Sequence, residues 1–99
     1  MTIQTQRVLA VLLNEPLTDH YGLEISKKSE LASGSIYPIL ARLEAAGWVT
    51  SGWEEIDEAK EGRRRRRYYR LTAQGKRQAL LALEEMKRQI FRHPIGELA

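Results

Sequence analysis

The sequence has no cysteine among its 99 residues, and it has only three prolines and one phenylalanine. The absence of cysteine excludes a disulfide framework, a thiolate zinc site, an iron–sulfur cluster and a cysteine nucleophile. No uncharged stretch approaches the ~20 apolar residues that a transmembrane helix needs. The amino terminus also lacks the basic start and apolar stretch of a signal peptide. We therefore expect a soluble, cytoplasmic protein of about one domain.

Charge is concentrated in two adjacent blocks of opposite sign. The whole chain has 16 Lys+Arg against 13 Asp+Glu, for a net charge of +3. Residues 54–61 hold five acids and one lysine, which gives −4, and residues 63–70 hold six arginines, which gives +6. The positive surplus therefore lies in one short stretch, which also contains Tyr68 and Tyr69.

Apolar periodicity predicts two helices at the start of the chain. The first covers residues 3–13 and ends before Pro16, because proline disfavours helical geometry in the residue that precedes it. The second is shorter, covers residues 21–28 and takes Thr18 or Asp19 as its cap. The apolar residues that the first helix places mostly on one side are Ile3, Val8, Leu9, Leu12 and Leu13.

A third helix follows a turn over residues 29–34 and ends at Gly47. Pro38 lacks an N–H group, which is harmless only in the first turn of a helix, so Ser35 is the favoured cap and Ser33 the alternative. The apolar positions of this helix are Ile36, Ile39, Leu40 and Leu43, and its outer side carries Ser35, Tyr37, Pro38, Ala41, Arg42 and Ala45.

The next segment predicts a β-hairpin. Residues 48–53 are aromatic and β-branched, and residues 66–72 can alternate as their partner strand. Residues 54–65 then join the two strands as a charged loop. Alternatively, residues 51–52 form a tight hairpin of their own and residues 54–65 are a tether. The side chains that share one face of the second strand are Arg67, Tyr69 and Leu71.

A final helix is predicted over residues 73–92, with Thr72 as its cap and Pro94 and Gly96 beyond its end. At 1.5 Å per residue it is about 27–30 Å long, which is too long for so small a domain to cover. A second copy of the chain is the economical partner for its apolar stripe. The alternative is that the helix packs entirely on the first helix. The stripe consists of Leu80, Leu83, Met86 and Ile90.

This order of elements is the layout of a winged helix–turn–helix, which is an α+β, mainly α fold. We expect residues 1–72 to form a DNA-binding domain and residues 73–99 to form a dimerisation helix and tail. The small outer side of the third helix suits the ~12 Å wide major groove, and a two-fold dimer places two such helices one DNA turn apart. The expected DNA-binding residues are Lys27, Lys28, Ser33, Ser35, Tyr37, Arg42, Arg63, Arg64, Arg65, Arg66 and Arg67. As alternatives, Tyr37 is a half-buried packing residue and Arg42 a solvated charge.

Five consecutive arginines, residues 63–67, repel one another unless a negative group neutralises them. One candidate is the acidic loop, whose exposed ion pairs contribute only about 0–1 kcal/mol each. The candidate that we favour is a DNA phosphate backbone or a narrow minor groove. The logarithm of the affinity should then fall with the logarithm of the salt concentration with a slope of about −4 for each hairpin, the wing of the fold. The acidic loop is then an internal competitor that lowers non-specific binding. Its acids are Glu54, Glu55, Asp57, Glu58 and Glu61.

The sequence indicates no enzyme, metal site or cofactor. It contains no Ser/His/Asp set, no Gly-rich phosphate loop after a strand and no paired carboxylates on a rigid element. His20 and His93 are far apart in the sequence and suggest no metal or catalytic pair. Trp48 and Trp53 are expected to pack the hairpin onto the helical core rather than to form a ligand box.

Several segments resemble PadR-like transcriptional regulators. They are residues 19–25 (DHYGLEI), 33–44 (SGSIYPILARLE), 47–49 (GWV), 53–54 (WE) and 67–72 (RYYRLT), within about residues 5–90. The resemblance implies a winged helix with a carboxy-terminal dimerisation helix. It also implies operator binding, usually with repression, and release by a small molecule in some members. It assigns Ser33, Ser35, Tyr37 and Arg42 to the DNA-reading helix, residues 63–67 to the wing, and Leu80, Leu83, Met86 and Ile90 to the dimer helix.

The chain departs from that family in three respects. It has one short final helix instead of a longer bundle, and its arginine run is denser than the usual wing. The final helix has no tryptophan, so an aromatic clamp for planar drugs is not supported. We expect a homodimeric repressor that binds a two-fold operator in double-stranded DNA. The alternatives are a winged-helix module that binds an acidic protein partner and a ligand sensor with an apolar pocket at the dimer seam.

Overall fold

The computed structural model describes residues 1–92, and its fold is mainly helical with one small antiparallel sheet. The elements, in chain order, are α1 (Ile3–Asn14), β1 (His20–Tyr21), α2 (Gly22–Ser29), α3 (Ser33–Ala45), β2 (Val49–Trp53), α4 (Glu58–Glu61), β3 (Arg67–Leu71) and α5 (Ala73–Arg92). The strand order is β1-β3-β2. The architecture confirms the predicted winged helix–turn–helix. His93, Pro94 and Gly96 lie outside the described residues.

The core forms where α1, α2 and α3 pack together and against β3. Ile3 is 72% exposed, so its predicted position on the same side of α1 as the other apolar residues is wrong. At 3.6 residues per turn, Ile3 lies on the opposite side of α1 from the buried Leu12, nine residues later. The buried apolar side chains are Val8, Leu9, Leu12, Ile25, Ile36, Ile39, Leu40, Leu43, Val49, Tyr69, Leu71 and Ala79.

None of the helices within residues 1–92 combines the length and the apolar content that crossing a membrane requires.

Strand β1 was not predicted from the sequence, and it moves the start of α2. It pairs antiparallel with β3, with His20 opposite Tyr69 and Tyr21 opposite Tyr68. Tyr21 is consequently the N-cap of α2, and the prediction of a Thr18 or Asp19 cap is wrong. A strand of two residues is too short to produce a periodic pattern, so only its tertiary pairing reveals it.

Helix α3 begins earlier than predicted. Its N-cap is Ala32, whose carbonyl accepts bonds from the amides of Ser35 at 2.9 Å and Ile36 at 3.2 Å. Both predicted caps, Ser35 and Ser33, are therefore wrong. The reason is tertiary: Ile36 is fully buried, and its burial holds the first turn in helical form. Pro38 lies inside the helix and cannot donate a bond to the carbonyl of Gly34, an exposed residue that water can reach.

Strands β2 and β3 pair along their whole length, from Val49 opposite Leu71 to Trp53 opposite Arg67. The alternative of a tight hairpin at residues 51–52 is therefore wrong. The segment that joins the strands contains the short helix α4 rather than loop alone. Asp57 caps α4, with Oδ1 accepting bonds from the amides of Ala59 at 3.1 Å and Lys60 at 3.3 Å. We call residues 53–67, from the end of β2 to the start of β3, the wing.

Helix α5 has the predicted limits, and Thr72 caps it through a 2.9 Å bond from the amide of Gly75 to Oγ1. Its first two turns pack on α1 and β3, where Gly75 and Ala79 are buried. The alternative in which the whole helix packs on α1 is wrong, because the later turns leave the core. Leu83 and Met86 are half-buried there. The exposed apolar residues are Leu80, Leu81, Ile90 and Phe91.

Gly75 sets how closely α5 approaches the hairpin, since a β-carbon at this position would lie 2.6 Å from the carbonyl carbon of Trp48. Backbone cannot yield as a side-chain tip can, so Gly75→Ala should destabilise the fold by about 1–3 kcal/mol. Denaturant unfolding followed by circular dichroism measures this. Gly34→Ala is the control: beyond the backbone of α3 itself, no atom of residues 1–92 lies within 4 Å of its added carbon, and the change should stabilise α3 by up to about 1 kcal/mol. Equal stabilities of the two variants would contradict the contact.

Candidate nucleic-acid interface

The outer face of α3 presents small and polar residues to solvent. Ser33 and Arg42 are exposed, Ser35 is half-buried and Tyr37 is 46% exposed. The ring of Tyr37 lies against Gly22, the first residue of α2, where a β-carbon would come within 2.8 Å of the ring Cζ. Tyr37 therefore packs on α2, as in the alternative of a half-buried packing residue, and about half of its surface stays open to solvent.

A cleft of about 690 Å³ lies between α2, Tyr37 and the start of β3. It joins predicted interface residues that are distant in the sequence, because the helix–turn–helix and β3 meet there. Among the described residues that line it, Glu24 is the one acid, and its Oε1 lies 3.3 Å from the Nζ of Lys28. The predicted residues that line the cleft are Lys27, Lys28, Tyr37, Arg66 and Arg67; those outside it are Ser33, Ser35, Arg42, Arg63, Arg64 and Arg65.

The centre of the wing is the carboxylate of Glu54. Both terminal nitrogens of Arg63 donate hydrogen bonds to it, at 2.7 and 3.2 Å. Arg66 also binds it twice through its side chain, with Nε and Nη2 each at 3.0 Å, and once through its backbone amide at 2.8 Å. The side chain of Glu54 is only 9% exposed as a result. This acid is thus enclosed by the cations that it neutralises.

These contacts change the proton affinity of the groups involved. Hydrogen bonds from Arg66 and then from Arg63 hold the pKa of Glu54 far below its ordinary value of 4.5. The same bonds raise the pKa of both arginines. Glu54 is therefore ionised throughout the ordinary pH range. Elsewhere at the site, burial raises the pKa of Tyr69.

The remaining arginines of the run differ in their surroundings. The Nε of Arg65 lies 3.3 Å from Oε1 of Glu58. Arg64 forms no side-chain hydrogen bond or ion pair within residues 1–92. Pairing of the acidic segment with the arginine run, which is the alternative that the sequence argument disfavours, therefore occurs at Glu54 and Glu58. The paired side chains still face solvent, since Arg63, Arg65 and Arg66 are 40%, 48% and 52% exposed.

Arg67 connects the wing to α3. Its Nη2 donates to Oγ of Ser51 at 2.8 Å, and that hydroxyl donates to Oε2 of Glu44 at 2.5 Å. Its guanidinium lies over the ring of Trp53, 5.1 Å from the ring centre. The sequence argument missed Ser51 and Glu44, because their contacts depend on the register of the hairpin and on where α3 docks. They fix the position of the wing relative to the helix.

The two tryptophans have different positions. Trp48 is partly buried and packs against the core, as predicted. Trp53 is 51% exposed, so its predicted packing onto the core is wrong. It shares a face of β2 with the buried Val49 but lies four residues further along the hairpin, at a distance of about 13 Å that carries it past the helices.

His20 is a buried residue with a hydrogen-bonding partner inside the fold. It is 1% exposed, and its Nε2 lies 2.9 Å from the carbonyl oxygen of Glu15, while its Nδ1 lies 3.5 Å from Oε1 of Glu24. No group of three or more potential metal-ligating side chains occurs in the part of the chain that the structure describes. No pattern in the sequence indicates the burial of His20, because that burial follows from β1.

The sequence comparison supports the resemblance deduced from the motifs. The model of the transcriptional regulator PadR-like family matches residues 8–80. No curated protein matches the chain significantly.

Solved structures share the fold. A PadR family transcription regulator from Clostridium difficile R20291 is 26% identical with a TM-score of 0.72, and the match covers 92% of this chain and 97% of that one. AbfR in its disulfide form is 26% identical with a TM-score of 0.70, with coverage of 89% and 55%. Reduced AbfR bound to DNA is 25% identical with a TM-score of 0.70, with coverage of 89% and 56%. This chain therefore spans about half the length of AbfR.

The low pKa of Glu54 predicts how wing stability depends on pH. A carboxylate whose pKa falls on folding stabilises the folded state above its ordinary value of 4.5, and that stabilisation is lost progressively as the pH falls further. The melting temperature should therefore be higher for the unmodified protein than for Glu54→Gln between pH 6 and 8, and the difference should shrink below pH 4.5. Glu55→Gln, at an exposed neighbour, is the control and should match the unmodified protein at neutral pH. A Glu54→Gln difference that stays constant down to pH 3 would contradict the assignment.

Proposed function

This chain belongs to the PadR-like family of transcriptional regulators, and from that premise we propose that it binds double-stranded DNA as a homodimer and represses transcription. Membership of a family of regulators agrees with the expectation that the chain is not an enzyme. The DNA-bound structure of reduced AbfR, a relative with the same fold, supports nucleic acid as the partner. The 99 residues contain no cysteine, so a disulfide like that of disulfide-formed AbfR is not available to them.

The observation that carries the proposal is the shared cleft. It places Lys27, Lys28 and Tyr37 of the helix–turn–helix beside Arg66 and Arg67 of the wing. Cations from two separate elements on one concave surface suit a phosphate backbone, which carries one negative charge per ~1.7 Å of duplex axis. The outer face of α3, with few bulky side chains, enters the major groove next to this surface.

Each element has a distinct task in this arrangement. Ser33, Ser35 and Arg42 on α3 contact base edges or adjacent phosphates in the groove. Arg64 and Arg65 on the wing contact phosphates beside it. Phosphate contacts fix the position of the protein on the duplex, and the contacts to base edges select the sequence.

Helix α5 supports the homodimer. Four of its apolar residues are exposed in the single chain, and a two-fold axis brings identical surfaces together. Residues 1–72 then bind DNA while residues 73–99 pair the protomers. The predicted contacts are made by Leu80, Leu83, Met86 and Ile90, and the structure adds Leu81 and Phe91 as exposed apolar neighbours.

Removing two wing cations tests DNA binding. Arg64→Gln with Arg65→Gln should weaken binding to all duplex sequences alike, because phosphate contacts carry no base information. The plot of log affinity against log salt should become shallower by about 2 per protomer. Fluorescence anisotropy with a selected operator and a scrambled duplex, at several salt concentrations, measures both effects.

The matched control carries the same charge change elsewhere. Lys87→Gln with Arg88→Gln lies on α5 and should leave the slope nearly unchanged. A loss of affinity confined to one base position would contradict the role of the wing. Indifference of the unmodified protein to DNA at low salt, together with tight binding to an acidic protein, would favour the alternative of a protein-binding module.

The homodimer is tested by placing a charge on α5. Ile90→Glu should shift the protein from dimer to monomer in sedimentation equilibrium, because a carboxylate cannot be buried unpaired in an apolar seam. Binding to a two-site operator should fall with it. Leu17→Glu is the control, since Leu17 is 83% exposed and lies in the segment between α1 and β1, outside the predicted dimer helix. A stable monomer of the unmodified protein at micromolar concentration would overturn the proposal.

A further inference from the structure

Glu54 makes more hydrogen bonds to arginine than the neutralisation of one negative charge requires. Its carboxylate accepts five hydrogen bonds from two residues. Both side chains bind it bidentately, a geometry that is more directional than an ordinary surface ion pair. Glu54 also sits on the hairpin ladder, because its backbone amide donates to the carbonyl oxygen of Arg66 at 3.0 Å. The backbone that carries this carboxylate is therefore fixed directly after the end of β2.

The two arginines that Glu54 binds are three residues apart, and they enclose Arg64 and Arg65 between them. Arg66 is held from a second side as well, with its guanidinium 4.1 Å from the ring centre of Tyr21 on β1. The segment between Arg63 and Arg66 is therefore tied at both ends to one point. Both intervening side chains are exposed. That of Arg65 pairs with Glu58, and that of Arg64 is unpaired within the described residues.

We propose that Glu54 is a positioning residue for DNA binding, which holds Arg63 and Arg66 from within the wing so that Arg64 and Arg65 are presented to phosphate. This inference rests on the proposed function. It separates Glu54 from the other acids of the segment, since Asp57 caps α4 and the carboxylate of Glu58, within residues 1–92, contacts only Arg65, through an exposed ion pair and a 3.3 Å bond from the Arg65 backbone amide. Glu58 competes with phosphate for Arg65, whereas Glu54 organises the arginines on either side of the pair that binds phosphate.

Positioning and competition predict effects of opposite sign. If Glu54 only competed with phosphate, Glu54→Gln would raise the net charge of the protein by one and strengthen DNA binding. If it organises the wing, the same change frees mutually repelling arginines, and binding must then order them. The net result is weaker binding despite the added charge.

The experiment compares the unmodified protein with Glu54→Gln, Glu54→Asp and Glu55→Gln in titrations of duplex DNA. Glu55 is the matched control because it is adjacent, exposed and changed by the same charge. We expect Glu54→Gln to weaken binding at least 10-fold, and Glu55→Gln to leave it unchanged or slightly stronger. Glu54→Asp keeps the charge but loses the reach for two bidentate contacts, so it should also weaken binding. The proposal would be overturned if Glu54→Gln bound DNA as tightly as Glu55→Gln, or if Glu54→Asp bound DNA as tightly as the unmodified protein.

A second measurement needs no DNA and keeps the two proposals distinguishable. In the structure, the amide of Arg66 is bound by the Glu54 side chain at 2.8 Å. Hydrogen exchange by NMR should show this amide protected relative to that of Arg64 in the unmodified protein, and unprotected in a Glu54→Ala variant that retains its circular dichroism spectrum, since alanine has no side-chain acceptor. If the unmodified protein ignores DNA but shows this protection, the proposed function fails while the ordering role of Glu54 stands. If Arg66 exchanges as fast as Arg64 in the unmodified protein, the positioning role fails whatever the DNA result.

Discussion

Strand β3 is the constraint on which the rest of the structure depends, because it pairs with β1 on one edge and with β2 on the other. Its alternation directs Tyr69 and Leu71 into the core and leaves Arg70 to pair with Asp19 at 2.8 Å. A slip of one residue would exchange these faces, exposing two buried side chains and burying a charge. The hydrophobic core therefore sets the register of the hairpin, and through it the position of every arginine in the wing.

The register also explains how the chain tolerates five adjacent arginines. Trp53 lies opposite Arg67, and the next step along the ladder places Glu54 beside Arg66. Isolated surface ion pairs contribute little to stability, but a carboxylate enclosed by two bidentate guanidiniums is geometrically defined. The wing is consequently an ordered unit with internal charge compensation, and the exposed parts of its arginines remain accessible to an anionic partner.

Much of the fold was predictable from periodicity, and the wrong predictions share one cause. Helices α1 and α5, the cap at Thr72 and the main hairpin follow from apolar spacing and local capping chemistry. Strand β1 was not predicted. The predictions for the start of α3, which is at Ser33, and for the burial of Trp53 were wrong. Each of these depends on contacts between elements, which override the local preferences of serine for a cap and of tryptophan for burial.

The candidate site divides in the same way. Which residues carry positive charge, which helix has a small polar face and which family the chain resembles can all be read from the order of amino acids, because these are properties of the residues themselves. Which carboxylate meets which arginine, and that Ser51 links Arg67 to Glu44, follow from folding alone. Those partners are 7 to 16 residues apart, and they meet only when strand register and helix docking bring their atoms within hydrogen-bonding distance.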